Sequence, residues 1–191
     1  MPHHALIGKT RCGKTTLAKI LARRLAAQGI GIAVLDPFHS KWPSDFQTAD
    51  GETFLAKLSA LVATRKKWAL FIDESSHAID RHDPRFSFLG TGAAQCGLVS
   101  YFLAQRWMQL APEIRNSVET WWIFRNADAD AMAKALGEPE ILKVKQFPQG
   151  QFLLVRPFQP TMIGRILFEK SDVTLKSIAA PIDHSQHVKQ F

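Results

Sequence analysis

The stretch Gly8-Lys9-Thr10-Arg11-Cys12-Gly13-Lys14-Thr15 decides the fold, because it is a complete G-x-x-x-x-G-K-[ST] phosphate loop. Gly8 and Gly13 allow a tight turn that brings successive N–H groups onto the β- and γ-phosphates of a nucleotide. Lys14 adds a positive charge that reaches the same oxygens, and the Thr15 hydroxyl completes a Mg²⁺ shell. The flanks agree with the motif. His4-Ala5-Leu6-Ile7 is a short apolar run suited to a strand. Residues 14–28 carry Leu17, Ile20, Leu21 and Leu25 at helical spacing, with Gly29 as the stop. That helix points its positive dipole end at the anion. Gly8, Lys9, Thr10, Arg11, Cys12, Gly13, Lys14, Thr15 and Thr16 are thus the candidate ATP-binding set. A chance glycine turn would meet the four fixed positions in roughly 1% of chains this long.

The 191 residues are 46% hydrophobic, enough for one well-cored domain and too few for two. The core is expected over about residues 4–168, with a polar tail over about 170–191. No run of 18 apolar residues occurs, so no transmembrane segment is expected, and the immediate strand and phosphate loop argue against a signal peptide. Cys12 and Cys96 are the only cysteines. With Cys12 inside the phosphate loop, free thiols in a reducing cytoplasm are expected. Lys and Arg number 24 against 17 Asp and Glu, a formal net charge of +7. The excess suits a nucleic-acid partner, and equally the triphosphate itself and solubility.

Strands and helices alternate along the chain. Gly31–Leu35 reads as a buried strand ending at Asp36-Pro37, and a helical pattern from Glu52 carries Phe54, Leu55, Leu58, Leu61 and Val62 on one side. Trp68–Ile72 is an apolar strand running into Asp73-Glu74. Residues 75–92 are polar and turn-rich, with Phe86, Phe88 and Leu89 as packing residues, and Gly90, Gly92 and Gly97 keep the helix expected within residues 85–97 short. Leu98–Ala104 is a strand closed by Gln105-Arg106, Pro112 opens a short helix, and residues 120–124 form a strand ending at Arg125. A helix over about 128–136 stops at Gly137, and Gln151–Val155 with residues 161–168 reads as a late hairpin or as edge strands. The alternation predicts an α/β fold with a mainly parallel sheet covered on both faces. Its ligand belongs at the carboxyl ends of the strands, where the phosphate loop, Asp73-Glu74 and Gln105 all fall.

Asp73, at the end of an apolar strand, is the expected second metal anchor beside Thr15, and Glu74 is suited to polarise an attacking water. Gln105 is placed to hydrogen-bond the γ-phosphate or that water. Arg125 either pairs with Asp128 or Asp130 or reaches a triphosphate in a neighbouring subunit, with Arg115, Arg85 and Arg106 as competitors. The catalytic candidates are therefore Lys14, Glu74, Gln105 and Arg125, and the metal candidates Thr15 and Asp73.

The order of these segments resembles the FtsK–HerA superfamily of DNA-pumping ATPases. The resemblance rests on residues 8–15, Val34-Leu35-Asp36-Pro37, Leu70-Phe71-Ile72-Asp73-Glu74, Phe102-Leu103-Ala104-Gln105-Arg106, Ile114-Arg115-Asn116 and Ile123-Phe124-Arg125-Asn126-Ala127-Asp128. The short chain resembles the compact genome-packaging ATPases of tailless icosahedral viruses with internal membranes. That resemblance implies a RecA-like P-loop fold, ATP and Mg²⁺ as cofactors, a ring of identical subunits and double-stranded DNA gripped without reading bases. It further implies a capsid or membrane vertex protein as partner, and a place in the host cytoplasm or the virion. Lys41, Arg81, Arg85 and residues 143–145 are candidate DNA contacts. Three alternatives stay open at this level: a DNA-export or conjugation motor, a small-molecule kinase, and a nucleotide-gated assembly switch.

Overall fold

A computed structural model describes residues 3–64, 66–73 and 83–178. Among them, nine strands form one sheet in the order β3-β2-β4-β5-β1-β6-β7-β8-β9. These are β1 His3–Ile7, β2 Gly31–Leu35, β3 Phe46–Thr48, β4 Trp68–Ile72, β5 Leu98–Ala104, β6 Val118–Phe124, β7 Gln151–Val155, β8 Met162–Leu167 and β9 Asp172–Ser177. The strands from β3 through β6 run parallel, and β7, β8 and β9 continue the sheet antiparallel. The α/β fold expected from the alternating pattern is the fold observed.

Side-chain alternation along each strand sorts the core into two layers. Ala5, Ile7, Leu70, Ile72, Phe102 and Ile123 face one side, with Leu58 of α2 (Gly51–Ala63), Phe86 of α3 (Pro84–Thr91), Ile114 of α4 (Pro112–Ser117) and Met132 of α5 (Ala129–Leu136) packed on them. Leu6, Val34, Phe71, Leu103 and Phe124 face the other side, against Leu17, Ala18 and Ile20 of α1 (Lys14–Ala27). On that side Phe71 stacks on Tyr101 at 4.5 Å, and Tyr101 stacks on His4 at 4.2 Å. Such pairs add about 0.5–1.5 kcal/mol each beyond the area they bury.

Local chemistry sets the helix ends. The Asp50 carboxylate accepts from the Thr53 N–H at the start of α2, and Asp83 accepts from the Arg85 N–H with Pro84 at the first position of α3. The short helix expected there is found: residues 84–91 are helical, with Phe86 and Leu89 at helical spacing and fully buried, while residues 75–82 lie outside the described residues. Part of the polar tail, to which the sequence assigned no element, is a strand. Residues 172–177 pair with all of β8, since backbone hydrogen bonding needs no apolar side chains. The short edge strand β3 and the 3₁₀ helix Pro139–Gln146 are further elements that hydrophobic spacing did not mark.

Candidate active site

β1 lies between β5 and β6, where the strand order changes direction, and its carboxyl end opens directly into the phosphate loop. The loop is laced to its neighbours by backbone. The Gly8 N–H donates to the Ala104 carbonyl at 3.2 Å, and the Lys9 N–H donates to the Arg125 carbonyl at 2.9 Å. Gly8 must be glycine because a Cβ would lie 2.6 Å from the Phe124 Cβ. Gly13 has φ +114°, and a Cβ there would meet the Ile166 side chain at 2.9 Å. Arg11 also takes a positive φ, 61°, so the loop curls around a concave row of N–H groups. Inside it the buried Lys14 ammonium donates to the carbonyls of Gly8 at 2.7 Å and Lys9 at 3.1 Å.

The metal candidates meet. Thr15 follows Lys14 on the first turn of α1, and its hydroxyl donates to the Asp73 Oδ2 at 3.0 Å. Asp73 is buried one residue beyond β4, and its N–H donates to the Leu35 carbonyl, which holds β4 and β2 in step at this edge. Both are hard oxygen donors suited to Mg²⁺, so the residues present fit the ion. Burial, the largest influence on Cys12, pushes its thiol up despite nearby Lys14 and Arg125, which disfavours the thiolate, and the side chain packs in the core beneath the loop. Both cysteines are free thiols.

Beyond β2 the buried Asp36 organises a second loop. Its carboxylate accepts from the Phe38 and Ser40 N–H groups, the Ser40 hydroxyl and the Trp42 indole. Burial by itself would raise this carboxyl, but those hydrogen bonds outweigh it and hold it below the usual range. Lys19 of α1 donates to Ser40 at 3.0 Å, tying the loop to the phosphate-loop helix. The exposed Phe38 ring is thereby presented at the site.

Gln105 follows β5 at the same edge, half-buried, with its N–H donating to the Gln109 side chain. The arginines separate clearly. Arg85 is bonded to Asp83 and Glu52, and Arg106 to Asp128 at 2.9 Å. Arg115 lies over the Trp107 ring. Asp130 pairs with Lys145. Arg125 thus pairs with neither Asp128 nor Asp130, and among the described residues its exposed guanidinium has no ion-pair partner.

A cavity of about 360 Å³ is lined by Thr10, Arg11, Gly13, Lys14, Thr15, Thr16 and Asp73, together with Phe38 and Gln149. Gly8, Lys9 and Cys12 form the back of the loop rather than its wall, and Gln105 and Arg125 stand at the same sheet edge outside the cavity lining. Glu74 and Arg81 lie outside the described residues. Of the candidate DNA contacts, Arg85 is committed to two carboxylates, Lys143 pairs with Glu140 and Lys145 with Asp130, while Lys41 is exposed. Phe38 and Gln149 escaped the sequence reading. Pro148-Gln149-Gly150 reads only as a turn, and its place beside Cys12 is a tertiary fact. A larger cavity of about 700 Å³ lies by His4, Trp122 and Arg156, away from the phosphate loop.

A mainly parallel sheet with this loop at its central strand, and an Asp bonded to the loop threonine, defines the class as a P-loop nucleoside triphosphatase fold. No family model and no curated protein matches the sequence. Among solved structures, the chain is similar to the genome packaging NTPase B204 from Sulfolobus turreted icosahedral virus 2. In complex with sulfate that protein superposes with a TM-score of 0.70 at 18% identity, over 85% of this chain and 94% of that chain. In complex with AMPPCP the TM-score is 0.69 at 16% identity, over 94% and 98%. The pCW3 conjugation coupling protein TcpA, in its monomer form with ATPgS, gives 0.66 at 17% identity, over 84% of this chain and 59% of that chain. The likeness to packaging and conjugation ATPases that the sequence suggested is met at the level of fold.

Proposed function

We propose that this chain is an ATP-hydrolysing motor subunit that moves double-stranded DNA as a ring, with loading of a viral genome as its working context. The observation that carries the reading is the Thr15–Asp73 hydrogen bond beside the Lys14 ammonium, at the mouth of an open cavity. The loop N–H groups and Lys14 hold the phosphates of ATP, and Thr15 and Asp73 hold Mg²⁺. The ion would offset charge on the β- and γ-phosphates. Glu74, next in the chain, takes the proton of the attacking water, Gln105 senses the terminal phosphate from the edge of β5, and Arg125 serves a neighbouring subunit.

Motor function rather than nucleotide hydrolysis alone is supported by the fold likeness to a packaging NTPase across nearly the whole of both chains. The formal charge of +7 suits phosphate tracking. A capsid or membrane vertex protein is the partner this role calls for, and the host cytoplasm or virion its place. Among the described residues no helix is long and apolar enough to cross a membrane. The likeness to TcpA favours a DNA-export or conjugation motor as the second reading.

The test is ATP turnover in Mg²⁺ with and without duplex DNA, beside light scattering under the same conditions. Stimulation by two unrelated duplexes, lost steeply as salt rises, together with a multimeric mass, is the expected result. ADP release that depends on a small acceptor and ignores DNA would sink the motor reading and favour a kinase.

A further inference from the structure

We infer that Gln149 and Phe168 form the nucleobase subsite of this site and hold the adenine of ATP; the inference rests on the ATP-binding reading above. The strand order gives the cavity a direction. Asp73 follows β4 and Phe38 follows β2, both on one flank of the phosphate loop, whereas Gln149 precedes β7 on the opposite flank. The Thr15–Asp73 pair fixes the metal end, where the terminal phosphates go. The nucleoside then leaves toward the other end of the cavity, and Gln149 is the side chain that lines it there.

The Gln149 turn is clamped to the phosphate loop. The Gly150 N–H donates to the Cys12 carbonyl at 2.9 Å, and the Gly150 carbonyl accepts from the Ile166 N–H at 2.9 Å. Because Gly13 lacks a side chain, Gly150 and Ile166 pack directly against it. Gly150 itself sits at φ +79°, and a Cβ there would lie 2.7 Å from the Phe168 ring. The Phe168 ring thus rests on the residue next to Gln149, yet 47% of it is exposed. A half-exposed aromatic suits a base face, since aromatic rings stack on bases without regard to sequence. An amide carries a donor and an acceptor side by side, the pattern that pairs with the edge of adenine. Gln149 lines the cavity and Phe168, outside that lining, packs on Gly150, which is bonded to the phosphate loop, so ring and amide together make an adenine platform.

Competition between ATP and inorganic tripolyphosphate separates the base from the phosphates. For Gln149→Ala and Phe168→Leu, roughly tenfold weaker ATP binding is expected, the loss of one stacking or bidentate contact. Tripolyphosphate affinity should stay at the wild-type value, and circular dichroism should be unaltered. Lys14→Ala should weaken both ligands. Unchanged ATP affinity in both variants would overturn the subsite, as would equal loss of ATP and tripolyphosphate, which would mean a structural role. Weakening confined to Phe38→Ala would place the base on the metal flank and overturn it as well. A wild-type chain that binds neither ligand would instead refute the ATP-binding reading, and the subsite would fall with it.

Discussion

The Thr15 hydroxyl donates to the Asp73 carboxylate across 3.0 Å, joining residues 58 positions apart. A carboxylate this buried keeps its charge at low cost only when donors or a cation face it. The phosphate loop and β4 are therefore joined through two oxygen donors of the kind that suits Mg²⁺.

Asp73→Asn should keep that hydrogen bond, because an amide oxygen still accepts, while removing the anionic metal ligand. ATP turnover should fall at least ~10²-fold with stability changed by no more than about 1 kcal/mol. Thr15→Ser should stay within a few-fold of wild type, and Thr15→Val should not. A Mg²⁺ titration of the ATPase rate decides it. Wild-type turnover and Mg²⁺ dependence in Asp73→Asn would remove Asp73 from the metal site.

Arg125 carries an exposed guanidinium, while its carbonyl is bonded to Lys9 of its own phosphate loop. Acting in a neighbour's site, it should be worth roughly 10³–10⁵ in turnover. Arg125→Ala should bind ATP almost normally and hydrolyse it poorly. Mixing it with Glu74→Gln should restore part of the rate, because some boundaries then pair an intact Glu74 with an intact Arg125. Absence of recovery, at concentrations where subunits exchange, would assign Arg125 to its own subunit.

His4 supplies a pH dependence. Burial, reinforced by the neighbouring His3, pushes its pKa down to about 4, against about 6.5 in an unfolded chain. Between those values the unfolded chain binds a proton that the native chain refuses. Stability should be unaffected above pH 6.5 and decline as pH falls toward 4, by at most about 3 kcal/mol from this residue. Denaturant midpoints across pH 4–7 measure the slope, and His4→Phe, keeping the stack on Tyr101, should flatten it. Asp36 is held low by its donors, so its contribution is lost only in a lower window. An unaltered slope in His4→Phe would locate the effect elsewhere, first at His3, whose pKa is lowered chiefly by burial.

The sequence alone determined whatever depends on near neighbours in the chain. Residues 8–15 specify a tight glycine turn into a helix because glycine positions and a following helix are local properties, and apolar runs such as Trp68–Ile72 mark strands because side chains alternate along them. Asp73 was legible for the same reason, standing directly after such a run. Only the tertiary structure decided which distant groups meet. Arg106, Asp128 and Trp107 form one cluster, leaving Arg125 unpaired by carboxylates among the described residues, and no spacing rule distinguishes those two arginines. Gln149 lines the phosphate-loop cavity, and Phe168 packs on Gly150 beside it, through an antiparallel extension of the sheet whose pairing rests on backbone hydrogen bonds that carry no side-chain signature.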